Sequence, residues 1–192
     1  MATTSATTHS PVWRPAAGSA RWLASNDALA RWLAAHRRSL RGAAATAAAI
    51  RGGIDGLSTQ MATLCARTCR FCPEPCCITN TVWFDFRDLL YLHLTAAPIP
   101  LHQAASDPGQ ACPFLTPHGC RLPPPIRPWM CIAYICPAQG RRMQRTAAVL
   151  RADFERRIAR IDRQRLAMEA ALMQALRRSK RTSPSSFPAC DG

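Results

Sequence analysis

Glutamate is almost missing from this chain, occurring only as Glu74, Glu155 and Glu169. Hydrolysis by a carboxylate pair would therefore have to use scattered aspartates. Lysine is scarcer still: Lys180 stands alone against 24 arginines. With the abundant alanine, that bias reflects genomic base composition as much as selection for guanidinium chemistry. No apolar run approaches the roughly 18–20 residues a membrane span requires, and residues 1–26 lack the apolar core of a secretory signal. Walker, Rossmann, HExxH and GxSxG signatures are all absent, and so are internal repeats. These absences lead us to expect a cytoplasmic protein that meets a reducing milieu and makes no membrane contact.

What the chain has is cysteine and positive charge. Its 192 residues carry ten cysteines and a formal charge of +14. The length suits one domain with appended helices, or at most two small domains. A hydrophobic content of 48% supplies a core and excludes wholesale disorder. In a reducing compartment, ten thiols point to metal ligands or redox groups more than to disulfides. Charge divides the chain into residues 1–64 at +5, residues 65–136 at +1 and residues 137–192 at +8. The near-neutral middle holds nine of the ten cysteines.

The flanks read as helices. Ser25 or Asn26 can cap a first helix with Leu29, Trp32, Leu33 and Leu40 on one face. Gly52, Gly53 and Gly56 should interrupt it before Ile54, Leu57, Met61 and Leu64 resume the helical spacing. From about Arg141 to Lys180, Met143, Ala147, Leu150, Phe154, Ile158, Ile161, Met168, Leu172 and Leu176 form an apolar stripe with no Gly or Pro between them. The middle is rich in proline, which fixes φ and removes an amide donor, so long helices are excluded there. Val82, Phe84 and Phe86 alternate like a short strand, and Asp85 or Asp88 can start a helix bearing Leu89, Leu90 and Leu94. The expected fold is mainly α. A small irregular cysteine-rich metal-binding domain (65–137) lies between N-terminal helices (25–64) and a long basic amphipathic helix (138–181), with disordered tails at 1–24 and 182–192.

The candidate ligands run Cys65-x3-Cys69-x2-Cys72-x3-Cys76-Cys77, then Cys112-Pro-Phe-Leu, Gly119-Cys120 and Arg127-Pro-x-x-Cys131-x4-Cys136-Pro. A CxxC turn lets two sulfurs converge on one metal, and two such groups complete a tetrahedral thiolate site. Eight clustered thiols suit two sites, or one site with spares. The blocks from Cys69 to Cys136 together resemble the YkgJ-type cysteine-cluster family, a group described as zinc- or iron-chelating. That resemblance covers residues 69–136 and implies metal binding at Cys69, Cys72, Cys76, Cys77, Cys112, Cys120, Cys131 and Cys136. A similar pattern occurs in flagellin lysine methylases, which keeps an enzymatic role open. This chain departs from the pattern at Ile132, where the family usually has Arg, and at Pro123–Pro125.

Zinc needs only deprotonated thiolates in a tetrahedron, whereas iron–sulfur clusters often end on a Cys-Pro such as Cys136-Pro137. Spacing leaves both cofactors open, in one or two sites. Arg127, pinned by Pro128, is placed to hydrogen-bond a sulfur or a backbone carbonyl beside the metal. Cys65 reads as a buried helix-end cysteine rather than a ninth ligand, and Cys190 as a free tail thiol. His118, His93 and His102 are weak ligand candidates. Asp85 and Asp88 read as helix-start carboxylates offsetting the macrodipole, and Trp83, Phe84 and Phe86 as core. Arg141, Arg142, Arg145, Arg156, Arg157, Arg160, Arg163, Arg165, Arg177 and Arg178 give the last helix an affinity for polyanions, nucleic acid included. Its apolar stripe should pack on the N-terminal helices or on another protein.

Overall fold

A computed structural model describes residues 19–69, 72, 76–104, 111–116, 119–146 and 148–182. The expected tails fall mostly outside these residues, but 19–24 and 182 are helical. In chain order the elements are α1 (Ser19–Ala35), α2 (Arg41–Thr68), α3 (Cys76–Thr79), α4 (Phe86–Leu94), β1 (Leu115–Thr116) and β2 (Gly119–Cys120). A 3-10 turn (Pro124–Ile126), α5 (Trp129–Ala133), α6 (Pro137–Thr146) and α7 (Ala148–Thr182) follow. The strands pair antiparallel with Leu115 opposite Cys120. The fold is mainly α and ends in a long helix.

The frame is α2 against α7, the most extensive helix pairing in the molecule. On α2, Ala43, Ala47, Ile50, Ile54 and Leu57 recur every three or four residues and are buried. They meet Phe154, Ile161, Met168 and Leu172 of α7, also buried. Each large aliphatic side chain so buried contributes about 1.5–3 kcal/mol.

The glycines do not interrupt α2. Helical glycine costs about 1 kcal/mol against alanine, and packing outweighs that here. Gly53 faces α7 so closely that a Cβ would stand 2.9 Å from Ile161 Cδ1, and Gly56 faces the Arg157 guanidinium. The break comes earlier instead, at residues 36–40, where Ser39 and Leu40 N–H groups both donate to His36 O. α1 also begins before the expected cap, at Ser19. Asn26, read as a cap, lies inside the helix with its Nδ2 donating to Trp22 O (2.9 Å).

Two further expectations are corrected. The C-terminal stripe is divided between α6 and α7. The Arg151 guanidinium lies 3.8 Å from where a Cβ on Gly140 would stand. Eleven helical residues would span about 16 Å, so the chain bends between the two helices. Leu150, near that bend, is half exposed. Val82–Phe86 forms no strand, because no neighbouring backbone pairs with it. The Gln103 side chain takes that place: its Oε1 accepts from Phe84 N–H (2.5 Å) and its Nε2 donates to Phe84 O (3.1 Å). Phe84 is buried between Trp22 and Phe114 rings, while Trp83 and Phe86 are partly buried.

A charged group sits in the middle of the α7 stripe. Arg165 follows Phe154, Ile158 and Ile161 at helical spacing and precedes Met168 and Leu172. It is not the exposed phosphate contact that charge counting suggests: its side chain is 3% exposed. Nη1 donates to Asp88 Oδ1 (2.6 Å), and Nη2 donates to both Asp85 carboxylate oxygens (2.9 Å each). Asp85 caps α4 and forms a reciprocal capping box with Asp88, so the two aspartates start the helix as expected and neutralise a buried cation as well. Asp88 Oδ1 also accepts from Trp129 N–H (3.1 Å), and the guanidinium lies 5.6 Å from the Trp129 ring centroid. Trp129 Nε1 donates to Asp162 Oδ1 (2.6 Å). Burial lifts the Asp88 carboxyl to about 6 despite the guanidinium opposite. Burial pulls Arg165 the other way, but the two carboxylates overcome it and hold the guanidinium charged.

Removing one partner of a buried ion pair typically costs about 3–5 kcal/mol. Arg165→Met should therefore lower unfolding free energy by roughly that much in urea titrations, with protonation of the stranded Asp88 setting the lower end. A loss under about 1 kcal/mol would show that the pair holds nothing in place. A second outcome concerns His93, whose Nε2 donates to Asn26 Oδ1 (3.0 Å) and ties α4 to α1. Burial lowers its pKa below the ordinary 6.5, with Asp27 opposing. The neutral ring is thus favoured in the folded state. The stability it contributes is present above pH 6.5 and lost as acidification passes the lowered value. Between pH 7.5 and 5.5, melting should fall further in the wild type than in His93→Gln.

Candidate metal centre

Five structural pieces carry the cysteines. Cys65 and Cys69 stand one turn apart at the C-terminal end of α2, where Cys69 N–H closes on Cys65 O. Cys72 N–H then donates to Cys69 O (3.2 Å), so the CxxC segment turns back on the helix end. Cys76 opens α3. Cys112 and Cys120 flank the β1–β2 hairpin, and Leu115 N–H donates to Cys112 O (2.9 Å). Cys131 lies in α5, behind a 3-10 turn set by consecutive prolines. Cys136 starts α6. α2 packs against the 3-10 turn, α5 and α6, which brings these distant stretches to one end of the frame.

Cys136 is the cap of α6, with Pro137 at the first helical position. Its Sγ accepts from Gln139 N–H (3.4 Å), and its own N–H donates to Gln139 Oε1 (3.1 Å). That exchange has the form of a capping box with a thiol in place of a hydroxyl. It also orients the Gln139 amide: with Oε1 committed, Nε2 faces away and reaches Cys65 Sγ (3.5 Å) and Cys69 Sγ (3.6 Å). One buried glutamine therefore touches three thiols from stretches about 70 residues apart. Composition and spacing did not single out Gln139. Its signal was the sequence Cys-Pro-Ala-Gln, a capping-box pattern directly after a cap residue.

The remaining thiols group electrostatically. Burial pushes the Cys131 thiol up to about 12, and Cys112, Cys120, Asp88 and Cys76 add to the shift. Burial also raises Cys112, aided by Cys120, against the N–H groups of Phe114 and Leu115. Cys65 is pushed up to about 12, first by burial, then by Cys69; Arg127 acts in the opposite sense and Cys76 in the same. Cys76 is thus common to both neighbourhoods. Arg127 Nε donates to Leu122 O (2.8 Å), the carbonyl two residues after Cys120. Arg121 leans over the Phe114 ring (5.2 Å).

The described cysteines Cys65, Cys69, Cys72, Cys76, Cys112, Cys120, Cys131 and Cys136 are free thiols. Cys77 lies in α3, but its side chain falls outside the described residues, as do His118, Arg70 and Cys190. His102 stacks on Phe114 (4.7 Å), and His93 binds Asn26. Among the described residues no three His, Cys, Asp or Glu side chains stand close enough to enclose an ion. In chemistry the donors fit a thiophilic metal: sulfur from several turns, with amide and guanidinium donors alongside. No family of known proteins, no curated protein and no solved structure matches the chain.

Exposure and pKa together predict an order of modification in reduced, chelator-treated protein. Cys69 is exposed, whereas Cys65 and Cys131 are partly buried and stay protonated at pH 8. Peptide mapping after brief iodoacetamide treatment should find Cys69 alkylated first and Cys131 last. Equal labelling would show that the thiols are not held as described.

Proposed function

We propose that the chain is a metal-binding protein that holds zinc or an iron–sulfur centre through clustered cysteine thiolates. One observation carries this reading: a single buried amide touches sulfurs at both ends of the cysteine segment, Cys65 and Cys69 on one side and Cys136 on the other. Burying thiols side by side contributes little by itself, since a proline-rich segment gains few backbone hydrogen bonds from it. A bound metal would supply cross-links worth about 10–16 kcal/mol to such a segment. The ligand set proposed is Cys69, Cys72, Cys76, Cys77, Cys112, Cys120, Cys131 and Cys136, with Arg127 fixing the loop beside them. The YkgJ-type likeness has no support from the comparisons, so the reading rests on the thiols. It takes the chain to be cytoplasmic, where thiols stay reduced.

A second reading draws on the basic surface. Arg141, Arg142, Arg145, Arg160, Arg163, Arg177 and Arg178 are exposed, while Arg157 is paired with Asp153 (2.7 Å). A recess of about 490 Å³ lined by Arg37, Arg38 and Arg41 adds a further basic patch. Twenty-four residues along α2 separate Arg41 from Cys65, about 36 Å, so this recess is no part of the thiol site. A metal-stabilised module could hold nucleic acid on this surface, with affinity falling steeply as salt rises. No described helix is long and apolar enough to cross a membrane.

Zinc, iron and acid-labile sulfide measured on one anaerobically purified batch test the first reading. Colourless protein with near-stoichiometric zinc makes the site structural. Brown protein with sulfide makes it an iron–sulfur centre, as in a redox or protein-modifying accessory role. Cys72→Ser and Cys120→Ser should each lower metal content and melting temperature, and Cys190→Ser should change neither. Wild-type metal content in both ligand variants would refute the assignment.

A further inference from the structure

We propose that Cys65, which the family likeness leaves out, is a ligand of one metal centre together with Cys69 and Cys136, and that Gln139 is its positioning residue. The inference rests on the metal-binding reading above and goes further by dividing the thiols. Cys65 was expected to be an inert helix-end cysteine. The structure instead gives it the same partner as Cys69 and Cys136. Gln139 is 4% exposed, its Oε1 is committed to Cys136 N–H, and both remaining contacts go to sulfur. An N–H donated to a neutral thiol is weak, whereas one donated to a metal-bound thiolate is charge-assisted. A buried amide aimed at two sulfurs is the arrangement that metal–thiolate sites use to fix and tune their ligands. Placing Cys136 at the start of α6 adds the positive end of the helix to the same sulfur.

Cys112, Cys120 and Cys131 belong to the other neighbourhood, with the hairpin and α5. A fourth ligand for the first centre comes from the Cys72–Cys76 segment, which turns back from Cys69 and lies beside Cys65. On loading, each coordinating thiol gives its proton to solvent as the metal–sulfur bond forms.

The test uses full-length protein, reduced, stripped with chelator and titrated anaerobically with Co²⁺ alone, reading the sulfur-to-cobalt charge-transfer band. Cys65→Ser should lose an equivalent of bound cobalt, and Cys65→Ser/Cys136→Ser should lose no more than either single variant. Cys112→Ser should lose a different equivalent, additive with the first. Gln139→Leu should keep the full count while weakening one equivalent about 10–100-fold and shifting its band. A glutamine that merely caps α6 would leave the band where it is. Wild-type count and spectrum in Cys65→Ser overturn this inference and leave the metal-binding reading intact. A wild-type chain that takes up no cobalt overturns both. Should Cys65→Ser lose helical circular dichroism, Gln139→Leu decides: an unmoved band and unchanged affinity overturn the proposal.

Discussion

The structure depends on a buried cation that has one place to go. Arg165 projects from the apolar face of α7, where its neighbours along the helix are Ile161, Met168 and Leu172. Desolvating a guanidinium costs several kcal/mol unless carboxylates and hydrogen bonds replace the lost water. Asp85 and Asp88 replace it, and their positions are set by the capping box that starts α4. The ion cluster therefore fixes α7 against α4 in both rotation and register. An apolar residue at 165 would pack at least as well and leave the register loose. The same cluster extends to Trp129 through Asp88 and Asp162, and Trp129 opens the helix that carries Cys131. The orientation of the thiol segment thus descends from a charge placed in the wrong-looking part of a helix.

Glutamine amides do in the irregular segments what ladders do in sheets. A proline-rich stretch offers few amide donors and no regular partners, yet its buried backbone groups still need hydrogen bonds. Gln103 satisfies both polar groups of Phe84, and its Oε1 also accepts from Ala104 N–H. Gln139 does the same for Cys136 and then spends its amino group on two sulfurs. Each substitutes one side chain for a strand, which is why Val82–Phe86 alternates like a strand without being one.

Much of the frame was legible in the sequence. Periodic apolar residues located α2 and α7 because packing demands that spacing, and Asp85 was readable as a cap because a short carboxylate meets free N–H groups there. Gly53 and Gly56 misled because intrinsic propensity ranks a residue by its own cost and takes no account of a helix passing within van der Waals contact. Arg165 misled for the opposite reason: a basic residue in a basic helix reads as solvated, although its spacing with Phe154, Ile161 and Met168 placed it on the inner face. The grouping of the thiols was not legible. Which sulfurs meet is decided by α2 packing on α5 and α6, and no local pattern around Cys65 or Cys136 encodes that.

The thiol cluster poses an electrostatic problem that its own residues leave unsolved. Burial and mutual proximity both oppose ionisation, and for Cys65 and Cys131 they win by a wide margin. Arg127 opposes them at Cys65, and Arg121 at Cys112, but each carries one positive charge and Arg127 spends its Nε on a carbonyl. A single guanidinium cannot offset several buried thiolates. Two states satisfy the balance: neutral thiols packed together, or thiolates around a multivalent ion. Neutral thiols are poor acceptors and would use little of the donor capacity of a buried amide. Thiolates around an ion would use all of it, and would convert a segment short of backbone hydrogen bonds into a cross-linked one. The position of Gln139 is best accounted for by the second state.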